Sequence, residues 1–288
     1  MKYAFIRDNA GGFDVIVMCN VLQVTPSGYY AWCKRPESAR AKRARELAEQ
    51  IRLVHAASRR TYGSIRVCKH LRKSGTLVCR NTIAKLMKQA GIKAKTCKKI
   101  RVSTTDSNHN NPVAPNVLDR QFTVSEPDTV WVTDITYIHT NEGVLYLAGI
   151  MDLCSRRIIG WSMGETMTAQ LVVDAIDMAV STREPKPGLM HHSDRGVQYT
   201  CGRYREFLAQ HDITVSMSRR GNCYDNAVME SFWGKLKTEA LYDHKLITRD
   251  QARAIVFDYI EVFYNRQRLH SALGYLSPEQ FEASRQRV

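Results

Sequence analysis

Met190-His191-His192-Ser193-Asp194-Arg195-Gly196-Val197-Gln198-Tyr199 opens, and Asn222-Cys223-Tyr224-Asp225-Asn226-Ala227-Val228-Met229-Glu230-Ser231-Phe232-Trp233-Gly234-Lys235-Leu236-Lys237 closes, the stretch around which the rest of this chain is organised. In the first part, a short apolar run from Gly188 to Ser193 ends in Asp194 and a glycine turn. A strand ending this way places its carboxylate at the carboxyl edge of a sheet, where open α/β sheets bind ligands. In the second part, Val228, Phe232, Leu236 and Leu241 recur at helical spacing around Glu230, with Asp225 or Asn226 as the N-cap. A third acid, Asp134, interrupts the β-branched run Val130-Trp131-Val132-Thr133 and Ile135-Thr136-Tyr137-Ile138, which reads as a buried strand. A carboxylate there is expensive unless it is paired or holds a metal. The spacing alone decides nothing: with 28 acids in 288 residues, roughly two pairs share the Asp194–Glu230 separation by chance. The surroundings of the three acids carry the argument, because two strands and a helix can bring them to one edge.

Working outward, strands are expected at 130–138, 144–152 and 157–163, with turns near Asn141-Glu142-Gly143 and Ser155-Arg156-Arg157. A helix follows at 168–182, then the strand ending at Asp194, a helix at 202–211, a strand at 213–218 and the Glu230 helix. Three strands joined by hairpins, followed by alternation of strand and helix, give an α/β fold with a mixed sheet and flanking helices. Asp152 also ends a strand and is an alternative metal ligand by position, but the order of motifs favours Asp134, and Asp152 is read as an acid of the turn or one supporting the metal ligands. His191 and His192 point to opposite faces of their strand and are read as structural.

The amino-terminal part has a different character. Residues 1–120 hold 24 lysines and arginines against seven acids, while the remainder is slightly acidic and the whole chain carries +14. Such asymmetry points to a nucleic-acid-gripping region joined to a catalytic or scaffolding one. Residues 13–33, with Thr25 as N-cap and Pro26 at the first helical position, read as a small helix-turn-helix unit whose aromatics are core. From Glu37 to Ser58 a basic helix carries the apolar stripe Leu47, Ile51 and Val54; its cations suit a phosphate backbone or a solvated face equally. Residues 61–92 read as two short helices, with Ile65, Cys68 and Leu71, then Ile83, Leu86 and Met87, inward, and Gly91 ending the second. Arg80, Lys85 and Lys88 lie on that second helix, as in a helix-turn-helix reading the major groove. Lys93 to Arg101, including Lys95, Lys98 and Lys99, extends the basic surface.

The expected organisation is therefore a basic helical DNA-binding region at 1–101, a linker at 102–128, a catalytic domain at 129–245 and a helical extension at 246–288. Eight cysteines without a Cys-x-x-Cys pair argue against a structural zinc site and a secreted disulfide framework. No run approaches the ~18 apolar residues of a membrane span. A soluble, cytoplasmic protein is expected.

Trp131 to Tyr137, His192 to Tyr199 and Asn226 to Trp233, with Lys237 seven residues after the glutamate and Tyr264-Asn265-Arg266-Gln267-Arg268-Leu269-His270 beyond, resemble the DDE transposase/retroviral integrase superfamily. The match is to the OrfB-type catalytic protein of the IS3 family of bacterial insertion sequences, from about Leu22 to Phe281. The resemblance implies a ribonuclease H-like fold, a bacterial nucleoid-associated enzyme, and Asp134, Asp194 and Glu230 as catalytic residues. It also implies an upstream helix-turn-helix and leucine-zipper partner and a homo-oligomer assembled on DNA.

Oxygen-rich carboxylate sites suit Mg²⁺, with Mn²⁺ as a substitute. Two ions would activate the attacking oxygen and stabilise the leaving one, with Asp134 bridging both and Asp194 and Glu230 each serving one. DNA contacts are expected from Lys237, Arg80, Lys85, Lys88, Arg219 and Arg220, the last two in a mobile loop. Trp233 packs its helix or stacks a base, and Arg266 to His270 touches phosphate or closes the domain. The competing readings are a metal-dependent nuclease of the same fold without strand transfer, and a DNA-binding regulator with a non-catalytic second domain.

Overall fold

The computed structural model describes residues 1–96, 112–220, 222–244 and 247–285, apart from the side chain of Cys223. Lys98, Lys99, Arg101 and the first part of the expected linker lie outside the described residues. The chain forms two compact units, residues 1–53 and 54–288.

The first unit holds α1 (Lys2–Asn9), α2 (Val15–Val21), α3 (Pro26–Lys34) and most of α4 (Ala39–Ala57). Asp14 starts α2 by accepting from the N–H groups of Ile16 and Val17, and Thr25 starts α3 by accepting from Gly28 N–H at 3.1 Å. Ile6, Met18, Cys19 and Tyr29 form the core of this unit. α1 was not expected, because its single buried residue leaves no apolar period to read.

In the second unit α5 (Ser64–Lys73) and α6 (Arg80–Gln89) form the helix-turn-helix pair. Val67, Cys68 and Leu71 are buried on α5, and Ile83 and Met87 on α6. Ile65, expected inward, is 42% exposed. Gly91 follows α6 at φ +67°, the left-handed position that glycine adopts without strain.

The sheet is built from β1 (Val130–Thr140), β2 (Gly143–Asp152), β3 (Ile158–Gly164), β4 (Met190–Ser193) and β5 (Thr214–Met217) in the order β3-β2-β1-β4-β5. β1, β2 and β3 pair antiparallel, whereas β4 and β5 run parallel to β1. α7 (Ala169–Arg183), α8 (Val197–Thr200) and α9 (Gly202–Gln210) serve one face. α10 (Ala227–Leu236), α11 (Arg249–Phe257) and α12 (Pro278–Arg285) complete the regular helices. Alternation along β1 feeds two cores. Val130, Val132 and Ile138 pack with the α10 and α11 residues Met229, Phe232, Leu236 and Val256, whereas Trp131 and Ile135 pack with Leu171, Ile176 and Tyr204 of the other layer. This is the mixed-sheet α/β, ribonuclease H-like architecture read from the sequence.

Two features lay beyond the reading. α10 runs on into a π-helical turn, Lys237–Leu241, and α11 into another, Asp258–Tyr264. Such widened turns are rare and recur at functional sites. Among the described residues, no helix is long and apolar enough to cross a membrane.

Candidate active site

β1 and β4 pair in register, Val130 with Met190 and Val132 with His192. Asp134 and Asp194 follow two residues beyond that register, near enough that the Asp194 charge acts on the Asp134 carboxyl. β4 stops at Ser193 while β1 runs on to Thr140, so the two acids lie where the parallel pairing ends. The Asp194 carboxylate turns back to accept from Gly196 N–H at 2.9 Å, the turn that the Asp-Arg-Gly sequence suggested.

Glu230 arrives on α10, which is fastened to β1 at both sides of Asp134's peptide plane. Asn226 stands at the N-cap position, but its side chain makes no cap. Its Nδ2 instead donates to the backbone oxygen of Thr133 at 2.9 Å. Two turns on, Trp233 Nε1 donates to Asp134 Oδ2 at 3.0 Å. The indole needs room to do this, and Gly149 supplies it. Gly149 pairs with Asp134 across β1 and β2, and a Cβ there would stand 2.7 Å from the Trp233 ring. Trp233 is therefore a packing residue that also holds the Asp134 carboxylate.

The electrostatics follow from like charges gathered in a recess. Burial, then the charge of Asp194 and finally that of Glu230 push the Asp134 carboxyl well above the usual range, against the Ile135 N–H and Trp233 bonds. Burial also raises Glu230, although its side chain lies toward solvent. Lys237 sits with its ammonium 4.6 Å from the Tyr137 ring centre. Its burial lowers its pKa while the Asp134 charge opposes that, which places it in the field of the acids. On the opposite face, the Tyr199 hydroxyl lies 3.4 Å from Thr133 Oγ1 and is pushed well up by burial and by Asp194 and Asp134.

Among the described residues, no group of three or more His, Cys, Asp or Glu side chains is gathered tightly enough to hold a metal ion as it stands. The donor chemistry nevertheless fits a hard divalent cation: two adjacent carboxylates repel one another, and a third projects from the neighbouring helix.

The remaining expected residues divide. Arg80, Lys85 and Lys88 are exposed along α6. Arg219 is committed elsewhere: its backbone N–H and guanidinium bind the Asp225 carboxylate at 2.9–3.0 Å, and it pairs with Asp119 at 3.2 Å. Asn116 and Arg120 complete that cage. Arg219, with Arg120, holds Asp225 well below the usual carboxylate range against its burial. The basic loop is thus partly a brace for the start of α10; Arg220 is exposed, and Gly221 lies outside the described residues. Arg268 is 1% exposed and clamped to Glu239, so it closes the domain. His192 lies between the hydroxyls of Ser216 and Ser218, His191 bonds Tyr204, and Asp152 caps the turn at Ser155.

Comparison with known proteins supplies the assignment. Models described as integrase core domain match residues 124–223 and 211–278, and an HTH-like domain model matches 42–100. The Escherichia coli K12 protein named transposase InsF for insertion sequence IS3A is 42% identical over 284 residues, covering 98% of each chain. The chain belongs to the IS3 family of insertion-sequence transposases. An IS600 insertion-element 31 kDa protein of Shigella sonnei, described as uncharacterized, is 47% identical over 264 residues, covering 92% of this chain and 97% of that one. Of solved structures, a chain of the simian T-cell lymphotropic virus intasome in complex with PP2A regulatory subunit B56 gamma aligns over 81% of this chain and 73% of its own, at TM-score 0.48 and 15% identity. The HTLV-2 integrase catalytic core with magnesium aligns over 54% of this chain and 96% of its own, at TM-score 0.40 and 18% identity. As an IS3-family transposase the protein is an enzyme of the DDE transposase/integrase class, in which the residues 124–278 form the integrase core.

Proposed function

We propose that this IS3-family transposase cleaves and joins the ends of its insertion sequence at Asp134, Asp194 and Glu230. The observation that carries the reading is the approach of Asp194, just past the end of β4, to Asp134 on β1, close enough for its charge to act there, with Glu230 on a helix bonded to Asp134 through Trp233. These three carboxylates would hold Mg²⁺, two ions with Mn²⁺ as a substitute, and such ions would activate the attacking oxygen and stabilise the leaving one.

The chain's own residues do the placing. Asn226 and Trp233 fix α10 on β1, which sets where Glu230 stands relative to the aspartates. Lys237, in the same recess, meets a phosphate of the terminal base pairs. Arg80, Lys85 and Lys88 on α6 grip the terminal inverted repeat from the major groove, and Arg220 lies near the DNA backbone. Arg219, though engaged by Asp225, leaves about half of its side chain at the surface and shares that backbone contact. Water attacks first and leaves a 3′-OH, which then attacks a second phosphodiester. Target DNA, a homo-oligomer on DNA and an upstream helix-turn-helix and leucine-zipper partner complete the working assembly in the bacterial cytoplasm, at the nucleoid.

Joining is the decisive measurement. Labelled duplexes carrying the inverted repeats that flank the gene are incubated with the protein and with Glu230→Gln, with and without Mg²⁺. Metal-dependent branched products are expected from the wild type alone, with the variant at least about a thousandfold lower, a loss of about 4 kcal/mol in transition-state stabilisation. Nicks without branching would replace the transposase reaction with that of a nuclease.

A further inference from the structure

The two helices of the helix-turn-helix pair are used differently. α6 leaves its cations at the surface, but the α5 side is spent on the catalytic core. Just before α5, the Arg59 guanidinium forks onto both oxygens of Asp258 and lies 4.8 Å from the Phe263 ring centre. Tyr62, 3% exposed, donates its hydroxyl to Gln267 O at 3.1 Å and accepts from Leu269 N–H at 2.8 Å. Arg66 Nε donates to Leu269 O at 3.0 Å. Lys73 reaches Gln280 at 3.2 Å, and Lys95, beyond α6, donates to Glu239 O at 2.8 Å and pairs with Asp243 at 2.7 Å.

The backbone gripped by Tyr62 and Arg66 flanks Arg268, whose guanidinium is buried on the Glu239 carboxylate at 2.6–2.7 Å. Glu239 lies in the π-helical turn that continues the Glu230 helix. A continuous set of bonds therefore joins α5 to the far end of the catalytic helix. Leu269 is held through both its N–H and its C=O, and backbone hydrogen bonds of this kind fix position and orientation together.

We propose that α5 is a docking helix, and that its seam with residues 267–269 fixes the separation between the base pairs read by α6 and the phosphodiester cut at the three acids. The proposal rests on the DNA-end reading above. Tyr62 and Arg66 are positioning residues: they touch neither DNA nor the reacting atoms, but they set which bond α6 delivers. A protein so built measures a fixed length from recognised sequence to cleaved end. A protein with a loosely tethered reading unit tolerates insertions between the two.

The test uses the full chain and two readouts. The first is hydrogen exchange without DNA, comparing wild type with the double variant Tyr62→Phe, Arg66→Met. Amides of α5 are expected to exchange at least tenfold faster in the variant while those of β1 and β2 keep their protection; unchanged α5 exchange overturns the seam. The second is end cleavage on duplexes in which the recognised repeat is moved two or five base pairs from the end. Wild type is expected to lose at least tenfold in cutting at the end on the shifted duplexes, whereas the variant cuts shifted and unshifted duplexes within threefold of each other. Equal shift sensitivity in the two proteins overturns the ruler alone. Absence of metal-dependent cutting by wild type on every duplex removes the transposase reading and the ruler with it. Should the double variant fail to fold, Arg59→Ala at the exposed rim of the seam gives the same comparison with a smaller expected change, about threefold in α5 exchange.

Discussion

Two carboxylate sites lie along one helical run and are built on opposite terms. At its start, burial and the charges of Asp194 and Glu230 raise the cost of ionising Asp134, to which the Trp233 indole donates. At its end, Glu239 is buried too, but the Arg268 fork and the Tyr259 hydroxyl at 2.8 Å satisfy it. The first arrangement accepts electrostatic strain and leaves room for a cation. The second spends its charge on fixing where the chain lies, the better-attested use of a buried ion pair. What separates the two sites is the surrounding set of partners, since both hold carboxylates along the same helical run.

The comparison is tested most severely at Glu239. Replacing it with alanine leaves the Arg268 guanidinium buried without its counter-charge, and among the described residues Arg268 Nη1 already has no hydrogen-bond partner. Breaking a buried pair costs about 3–5 kcal/mol. Urea unfolding at neutral pH is expected to show a loss of that size, and a loss under about 1 kcal/mol would mean the clamp contributes little. Glu239 and Arg268 replaced together by leucine and methionine should recover most of it, because the burden lies in the orphaned charge.

A smaller effect is expected at Gly149, where the site and the scaffold meet. A methyl group there meets the rigid edge of the Trp233 indole at 2.7 Å, and overpacking of this kind costs about 1–3 kcal/mol. Gly149→Ala should therefore lower the unfolding midpoint and, by tilting the Nε1 donor away from Asp134, reduce joining per folded molecule at least tenfold. Gly160 offers the control. On β3 its Cβ would press on the backbone of α7 at Ala175, away from the acids. Gly160→Ala should lose stability and keep its activity per folded molecule. Equal activity losses in the two variants would show that Gly149 matters only for packing.

How much of this was legible follows from what a sequence makes visible. Asp134, Asp194 and Glu230 could be read because each breaks a local pattern: an acid in a β-branched run, an acid closing a strand before glycine, an acid inside an apolar helical stripe. The sheet was legible for the same reason, since strand and helix periods are local. Trp233 could be placed on the face of the Glu230 helix, but its bond to Asp134 reaches back 99 positions, and nothing near it in sequence announces that. Asn226 misled in an instructive way: it was a good cap by residue type, yet Thr133 O lay closer in the fold. The engagement of Arg219 with Asp225 was equally out of sight. Arg268 shows the same limit: phosphate contact and domain closure stood open for its segment until the buried partner Glu239 was known.

The smallest expected effect carries the opposite sign. Asp134 is raised above its unfolded value, so its ionised form is better tolerated in the unfolded chain, whose carboxyl titrates near 3.9. In metal-free solution its contribution to stability is therefore most favourable below about pH 4 and falls as pH rises from there through the raised folded value. Asp134→Asn removes that burden and retains an oxygen for the Trp233 N–H. With a chelator present at pH 7, the variant is expected to be more stable than wild type. Adding Mg²⁺ should stabilise wild type by mass action and leave the variant unmoved, so that the order of the two unfolding midpoints narrows or reverses. A variant less stable than wild type without metal would mean that the acids are held as comfortably as Glu239, and the contrast between the two ends of the helix would fail.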